Sequence, residues 1–138
     1  MSDKPSVLFV CVHNAGKSQT AAALMRHVAG DAIEVHSAGT DPDEKLSAGA
    51  VAALAELGIG TGDERPKAID AALLSQVDCV IILGRDAQIV AGPDIAARTE
   101  RWVIPAETDT TLSGADRARA VRDDIADRVR DLAAHLTA

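Results

Sequence analysis

Apolar residues are arranged along this chain in two distinct patterns. Val7 to Val12 is an unbroken apolar run rich in β-branched side chains, and Cys79–Leu83 (CVIIL) is another. Runs of this length, apolar on both faces, predict strands buried in a parallel sheet. Ile33–Ser37 predicts a shorter strand and Thr99–Ile104 a weaker one. Elsewhere the apolar positions recur every three or four residues. Ala21, Leu24, Met25 and Val28 fall on one helical face, with Ser18 as a potential cap and Gly30 as a stop. A second helix runs from Ser47 towards Gly58, with Val51, Leu54 and Leu57 inward, and Ala71–Ser75 is a short third. From Gly114 onward, Val121, Ile125, Val129, Leu132 and Leu136 mark a long amphipathic helix, with Asp124 and Arg128 paired on its wet side. Strands alternate with helices throughout. Parallel strands need such crossovers, so the pattern predicts an α/β fold with helices on both faces of the sheet.

The 138 residues suit one domain, 1–138, with no repeat and no linker. Apolar residues make up 47% of the chain, yet there is one Phe, one Trp and no Tyr, so aliphatic side chains and alanine must fill the core. A net charge of −7 excludes the basic face needed for non-specific nucleic-acid binding and for an anionic membrane surface. It leaves room for a small anion, because a loop can be locally positive in an acidic protein. The start lacks the order of a secretory signal, and no apolar run is long enough to span a bilayer. Two cysteines make no disulfide framework, so the expectation is a cytoplasmic, reduced protein. His27, His36 and His135 are scattered without ligand spacing, and no metal site is expected.

The candidate chemistry lies between the first strand and the first helix, at Cys11-Val12-His13-Asn14-Ala15-Gly16-Lys17-Ser18. This is one residue away from a nucleotide-binding P-loop, with Cys11 in place of the first glycine. The cysteine would point into the loop, and no acidic metal ligand closes an apolar strand, so a nucleotide is the weaker guest. A strand, a tight loop and a helix N-terminus leave backbone amides without intrahelical partners, at the positive end of the helix dipole. Asn14 tolerates left-handed backbone, Gly16 permits close approach, and Lys17 adds a full positive charge. The natural guest of residues 12–18 is a tetrahedral oxyanion. Cys11 stands at the C-terminal end of the strand, where open α/β sheets place ligands. The helix end and Lys17 favour its thiolate, and Ser18 can donate to the sulfur. That makes Cys11 a nucleophile aimed at the central atom of the guest.

On these residues the chain resembles the low-molecular-weight protein tyrosine phosphatase superfamily, whose signature is Cys, five residues, then Arg and Ser/Thr. VLFVCVHNAGKSQTAAALM, VHSAGT, PKAID and RAVRDDIADRVRDL resemble its arsenate reductase branch in order and spacing. Gln19 after the serine also suits that branch. The resemblance implies a four-stranded parallel sheet of order 2-1-3-4 flanked by helices. It also implies that Cys11 is catalytic and that the loop Val12, His13, Asn14, Ala15, Gly16, Lys17 and Ser18 holds the oxyanion.

The chain departs from the family in three places. Lys17 replaces the loop Arg, a point charge in place of a bidentate fork, which weakens recognition of phosphotyrosine. The same Lys occurs in a subset of actinobacterial arsenate reductases. Thioredoxin-coupled members carry two further cysteines on a mobile segment, and the corresponding region of this chain reads ILGRDAQIVAGPD without one; Gly84 stands about where the first would be. Cys79 lies upstream, inside the apolar strand. A second thiol must therefore come from outside. The resembling subset implies mycothiol, or another low-molecular-weight thiol, as co-substrate, and a mycoredoxin or glutaredoxin-like protein as partner. The general acid is the third departure: the family's Asp or Glu before Pro is absent, and WVIPAETDTTLSG offers Glu107 or Asp109. Phe9 and Trp102 read as packing residues, not as contacts for an aromatic substrate. A small-molecule or protein phosphatase and a non-catalytic oxyanion-binding module are the other readings.

Overall fold

The computed structural model describes residues 4–90 and 92–138. Four strands, β1 (Ser6–Cys11), β2 (Glu34–Gly39), β3 (Cys79–Leu83) and β4 (Thr99–Trp102), form one parallel sheet of order β2-β1-β3-β4. Five helices connect and cover them: α1 (Lys17–Ala29), α2 (Ala48–Ala55), α3 (Ala71–Gln76), α4 (Pro93–Ala97) and α5 (Gly114–Leu136). The expected class, sheet order and flanking helices are all present.

The strand pleat divides the core. Val7, Phe9, Cys11, Ile81 and Leu83 face α1, α2 and α5, while Leu8, Val10, Val80 and Ile82 face α3 and the segment after β3. Successive side chains of a strand point to opposite faces, so an unbroken apolar run is what a sheet covered on both sides requires. Phe9 and Trp102 pack with ring centroids 6.0 Å apart, inside the first of these layers. Ile125 and Val129 of α5 are fully buried, and Arg128 pairs with Asp124 at 2.7 Å.

Several boundaries differ from the pattern. β1 ends at Cys11, so Val12 belongs to the loop, and β4 stops at Trp102 because Pro105 begins a 3-10 turn, Pro105–Thr108. Val28 is 44% exposed and Leu57 46% exposed, although both were expected inward. Helix α2 closes at Ala55, and the turn at Gly58 brings Ile59 into the core in place of Leu57. Ser18 does not cap α1. The helix begins one residue earlier with Gly16 in the cap position, and the Ser18 hydroxyl is engaged by other groups. The short α4 has no counterpart in the apolar pattern. No helix among the described residues is long and apolar enough to cross a membrane.

β1 is central, and its two neighbours are reached by crossovers that leave in opposite directions. Its C-terminal end is thus the switch point of the sheet, the place where α/β sheets form a crevice. Cys11 sits there.

Candidate active site

The loop between β1 and α1 is held from outside by its carbonyls. Thr40 N–H donates to Cys11 O, Asp41 to Val12 O, Asp43 to His13 O and Ser47 to Ala15 O, over 2.7–3.1 Å. The segment after β2 therefore forms a collar that draws the carbonyls away. Among the described residues, the amides of His13, Ala15, Gly16, Lys17 and Ser18 meet no protein acceptor. They are donors grouped at the N-terminus of a thirteen-residue helix, which is the arrangement that binds oxyanions.

Asn14 turns the loop. It is the one non-glycine residue with positive φ (+50°) among those described, a conformation that Asn accepts. It is also fully buried, and each side-chain atom is engaged: Nδ2 donates to Ser18 Oγ at 2.7 Å, and Oδ1 accepts from Lys67 N at 2.9 Å and from Gln19 Nε2 at 3.2 Å. Gly39, at the end of β2, passes directly behind this turn. A Cβ there would lie 2.7 Å from Val12 O and 2.9 Å from Asn14 Cβ.

Cys11 is 4% exposed. Its Sγ is 3.0 Å from Ser18 Oγ and accepts from the Asn14 N–H at 3.2 Å. Two polar groups thus converge on one sulfur beside a helix N-terminus. Cys79 is different in kind. Burial, then the charges of Asp78 and Glu100, push its thiol up to about 11. It is also at the far end of the sheet. Cys79 pairs with Val7, four residues before Cys11, which is about 13 Å along a strand.

Lys17 lies at the mouth. Its Nζ forms an ion pair with Glu107 Oε1 at 2.9 Å, with both side chains partly exposed. Gly84, at the end of β3, makes space for it: its φ is +95°, and a Cβ there would lie 3.0 Å from Lys17 Cε. Gly84 is itself held by Arg101, which donates to the carbonyls of Gly84 and Ala87 at 2.7 and 2.9 Å and so ties down the segment after β3.

Of the two carboxylates considered from the sequence, Glu107 comes to the loop. Asp109 faces Thr111, accepting from its N–H at 2.9 Å and from its hydroxyl at 2.5 Å. Those hydrogen bonds hold its carboxyl below the usual value, which opposes carrying a proton. His13 is exposed, with Nδ1 3.1 Å from Asp41 O. Beside Lys17 and Glu107 opens a groove of about 260 Å³ between α1, α2 and α5, lined by Gly16, Thr20, Ser47, Ala50 and Val121 among others, with no aromatic residue. No group of three or more His, Cys, Asp or Glu that could hold a metal occurs among the described residues.

Sequence reasoning did not assign roles to Gly39, Arg65 or Lys67, and it used Gln19 only as a mark of resemblance. Their parts in the site are played largely by backbone atoms, which carry no side-chain signature. The glycine after VHSA and the PK pair were visible as motifs but not as neighbours of the loop.

The model for low molecular weight phosphotyrosine protein phosphatases matches residues 6–138. An arsenate reductase from Shouchella clausii is 31% identical over 134 residues, covering 94% of this chain and 96% of its own. Among solved structures, a thioredoxin-dependent arsenate reductase from Corynebacterium glutamicum is 32% identical with a TM-score of 0.81. That match covers 98% of this chain and 63% of the other, so the present chain spans less than two thirds of that protein. An arsenate reductase in the phosphate-binding state is 26% identical with a TM-score of 0.80, covering 96% and 98% of the two chains.

Proposed function

The chain belongs to the low molecular weight phosphotyrosine protein phosphatase family, and from that premise we propose that it is an arsenate reductase using Cys11 and an external thiol. Arsenate sits in the loop Val12–Ser18, its oxygens on the amides and on Lys17. The Cys11 thiolate attacks arsenic: an S–As bond forms and an As–O bond breaks. Glu107, beside Lys17, gives the leaving oxygen its proton, so that water departs. Ser18 steadies the thiolate before attack and when Cys11 leaves again. Arsenic is still As(V) at this stage.

A low-molecular-weight thiol, which we take to be mycothiol, then attacks arsenic. Its S–As bond forms, the bond to Cys11 breaks, and the thiol proton returns to Glu107. The adduct leaves as a thiol–arsenate. A thiolate of a mycoredoxin or glutaredoxin-like protein attacks the sulfur of that adduct. The S–As electron pair stays on arsenic, which leaves as As(III) arsenite, and the two sulfurs form a mixed disulfide.

One observation carries this reading: a doubly hydrogen-bonded Cys11 under a ring of free amides, with no second thiol in reach. The chain has two cysteines, and Cys79 lies partly buried at the opposite end of the sheet. The segment after β3 carries none and is pinned by Arg101. Two-electron reduction inside the chain therefore has no resolving sulfur. The test is arsenite formation from arsenate by purified protein with mycothiol and mycoredoxin, set beside thioredoxin alone. Arsenite from the mycothiol pair, lost in Cys11→Ser, is the expected result. Arsenite with thioredoxin alone would overturn the external-thiol step.

The groove beside Lys17 and Glu107 favours a second reading, hydrolysis of an organic phosphate whose leaving group lies there. The absence of aromatic lining argues against an aryl group. Phosphate release from alkyl phosphates with no arsenite in any mixture would favour it.

A further inference from the structure

The hydrogen-bond pattern behind the loop resolves a question that the distances alone leave open: which atom of the Cys11–Ser18 pair holds the proton. Lys67 contributes a backbone N–H, which can only donate, and it is 2.9 Å from Asn14 Oδ1. Gln19 Nε2 meets the same oxygen at 3.2 Å, and its own orientation is fixed because it also meets the Arg65 carbonyl at 3.2 Å. An amide group cannot flip when both of its faces are specified. Asn14 must therefore present Nδ2 to Ser18 Oγ, at 2.7 Å. Ser18 Oγ accepts there, so its one hydrogen is left for Cys11 Sγ at 3.0 Å. The sulfur receives this hydrogen and the Asn14 N–H, and is asked to donate nothing. Asn14 and Ser18 are fully buried and Gln19 is 2% exposed, so water does not substitute for any member.

We propose that Gln19 and the backbone of Arg65–Lys67 are positioning elements for the nucleophile, fixing the Asn14 amide so that Ser18 donates to the Cys11 sulfur. Gln19 touches neither Cys11 nor the oxyanion loop's amides; it acts through Asn14. This rests on Cys11 as the nucleophile of the proposed reaction, but it does not depend on the substrate being arsenate. It also gives a physical role to the PKAID segment, whose backbone reads the orientation of a side chain in the loop.

The experiment follows the pH dependence of Cys11 alkylation by iodoacetamide, with loss of protein thiol as the readout. Cys79, pushed up to about 11, stays silent below pH 9. Gln19→Glu replaces the donor by an acceptor of the same shape. Turning Asn14 Nδ2 towards the new carboxylate gains a charge-assisted hydrogen bond and gives up the one from Lys67 N–H; the Asn14 oxygen then takes the Ser18 hydrogen, and the sulfur loses a donor. The alkylation midpoint is expected to rise by about one pH unit. The ionisable groups around the loop are His13, Lys17, Asp41, Asp43, Glu64, Arg65, Lys67, Arg85, Asp86 and Glu107, and they are unchanged in every variant. The introduced carboxylate adds a through-space effect, so the same substitution is made in a Ser18→Ala background. A charge acting through space shifts both backgrounds alike, whereas the relay is lost with Ser18. A shift at least halved in Ser18→Ala supports the relay. No shift, or equal shifts in the two backgrounds, overturns it. If Gln19→Glu does not fold, Gln19→Met removes one of the two donors to Asn14 Oδ1 without adding charge; Lys67 N–H remains, so a smaller rise is expected, again lost in Ser18→Ala, and a rise that persists undiminished in Ser18→Ala overturns the relay. Arsenite assays play no part, so failure here is distinct from failure of the arsenate reading.

Discussion

Replacing Gly39 by alanine tests the loop architecture directly. The added Cβ would lie 2.7 Å from Val12 O, 2.9 Å from Asn14 Cβ and 3.0 Å from Asn14 N. Two of these are main-chain atoms of the loop, and the third belongs to a residue held at positive φ with every side-chain atom bonded. Nothing flexible can yield. β2 cannot retreat either, because Gly39 N–H donates to Lys67 O at 2.7 Å and its strand is in register with Cys11. Overpacking of this kind costs about 2 kcal/mol. With an unfolding entropy of about 2.1 cal/mol/K per residue, that lowers Tm by about 7 °C. Displacing the Asn14 turn also moves the amides beside it, and loss of one such hydrogen bond weakens phosphate binding about tenfold. Gly16→Ala is the control in the same loop. Its Cβ would find no atom nearer than Ser47 Cβ at 4.0 Å, so its cost is below about 1 kcal/mol. Thermal unfolding and calorimetric titration with inorganic phosphate give both quantities. If Gly39→Ala melts with the wild type and binds phosphate equally, the close packing of β2 against the loop does not matter as argued.

Three further outcomes are expected. Glu107→Gln removes the carboxylate that pairs with Lys17 at 2.9 Å; arsenite formation should fall by about 10²-fold or more, while phosphate binding tightens as Lys17 is released. Unchanged turnover would remove Glu107 from proton transfer. Mass spectrometry after iodoacetamide at pH 8 should find Cys11 modified and Cys79 intact, because burial pushes the Cys79 thiol up to about 11; modification of Cys79 at a comparable rate would contradict its placement in β3. Arg119 and Arg122 hold the Glu56 carboxyl down to about 2, from 4.5 in an open chain. A folded value below the unfolded one means that the unfolded chain binds the proton more readily. The stabilisation is therefore complete above about pH 4.5 and fades as the pH falls towards 2. The Tm difference between wild type and Glu56→Gln, positive at pH 7, should shrink across that window; a difference that is constant between pH 7 and 2.5 would show that the network does not bind the helices α2 and α5 together through charge.

How legible the site was depends on whether a residue acts through its side chain within one local stretch. Cys11, Asn14, Lys17 and Ser18 lie within eight positions, and their chemistry follows from a strand, a tight turn and a helix start. Glu107 could be named only as one of two carboxylates. Separating it from Asp109 needed the fold, because the difference lies in their neighbours, Lys17 for one and Thr111 for the other. Ser18 was misread as a cap for the same reason: a hydroxyl at a helix start has a local use, and nothing in the chain says that a buried sulfur seven residues back competes for it.

Apolar runs and apolar periodicity by themselves determined the alternation of strands and helices and the class of sheet, and the residues between the first strand and the first helix marked the loop proposed to hold an oxyanion. Each strand and helix is legible from residues close in sequence, because the pleat and the helical turn write them as periods of two and 3.6. The tertiary structure alone decided what surrounds that loop. The collar at Thr40–Ser47, the close approach of Gly39, the backbone of Arg65–Lys67 on Gln19 and Asn14, and the pairing of Lys17 with Glu107 join positions from 25 to 90 residues apart. Their contacts run mostly through backbone amides and carbonyls, which every residue possesses. A group common to all residues leaves no mark in a sequence until the fold places it.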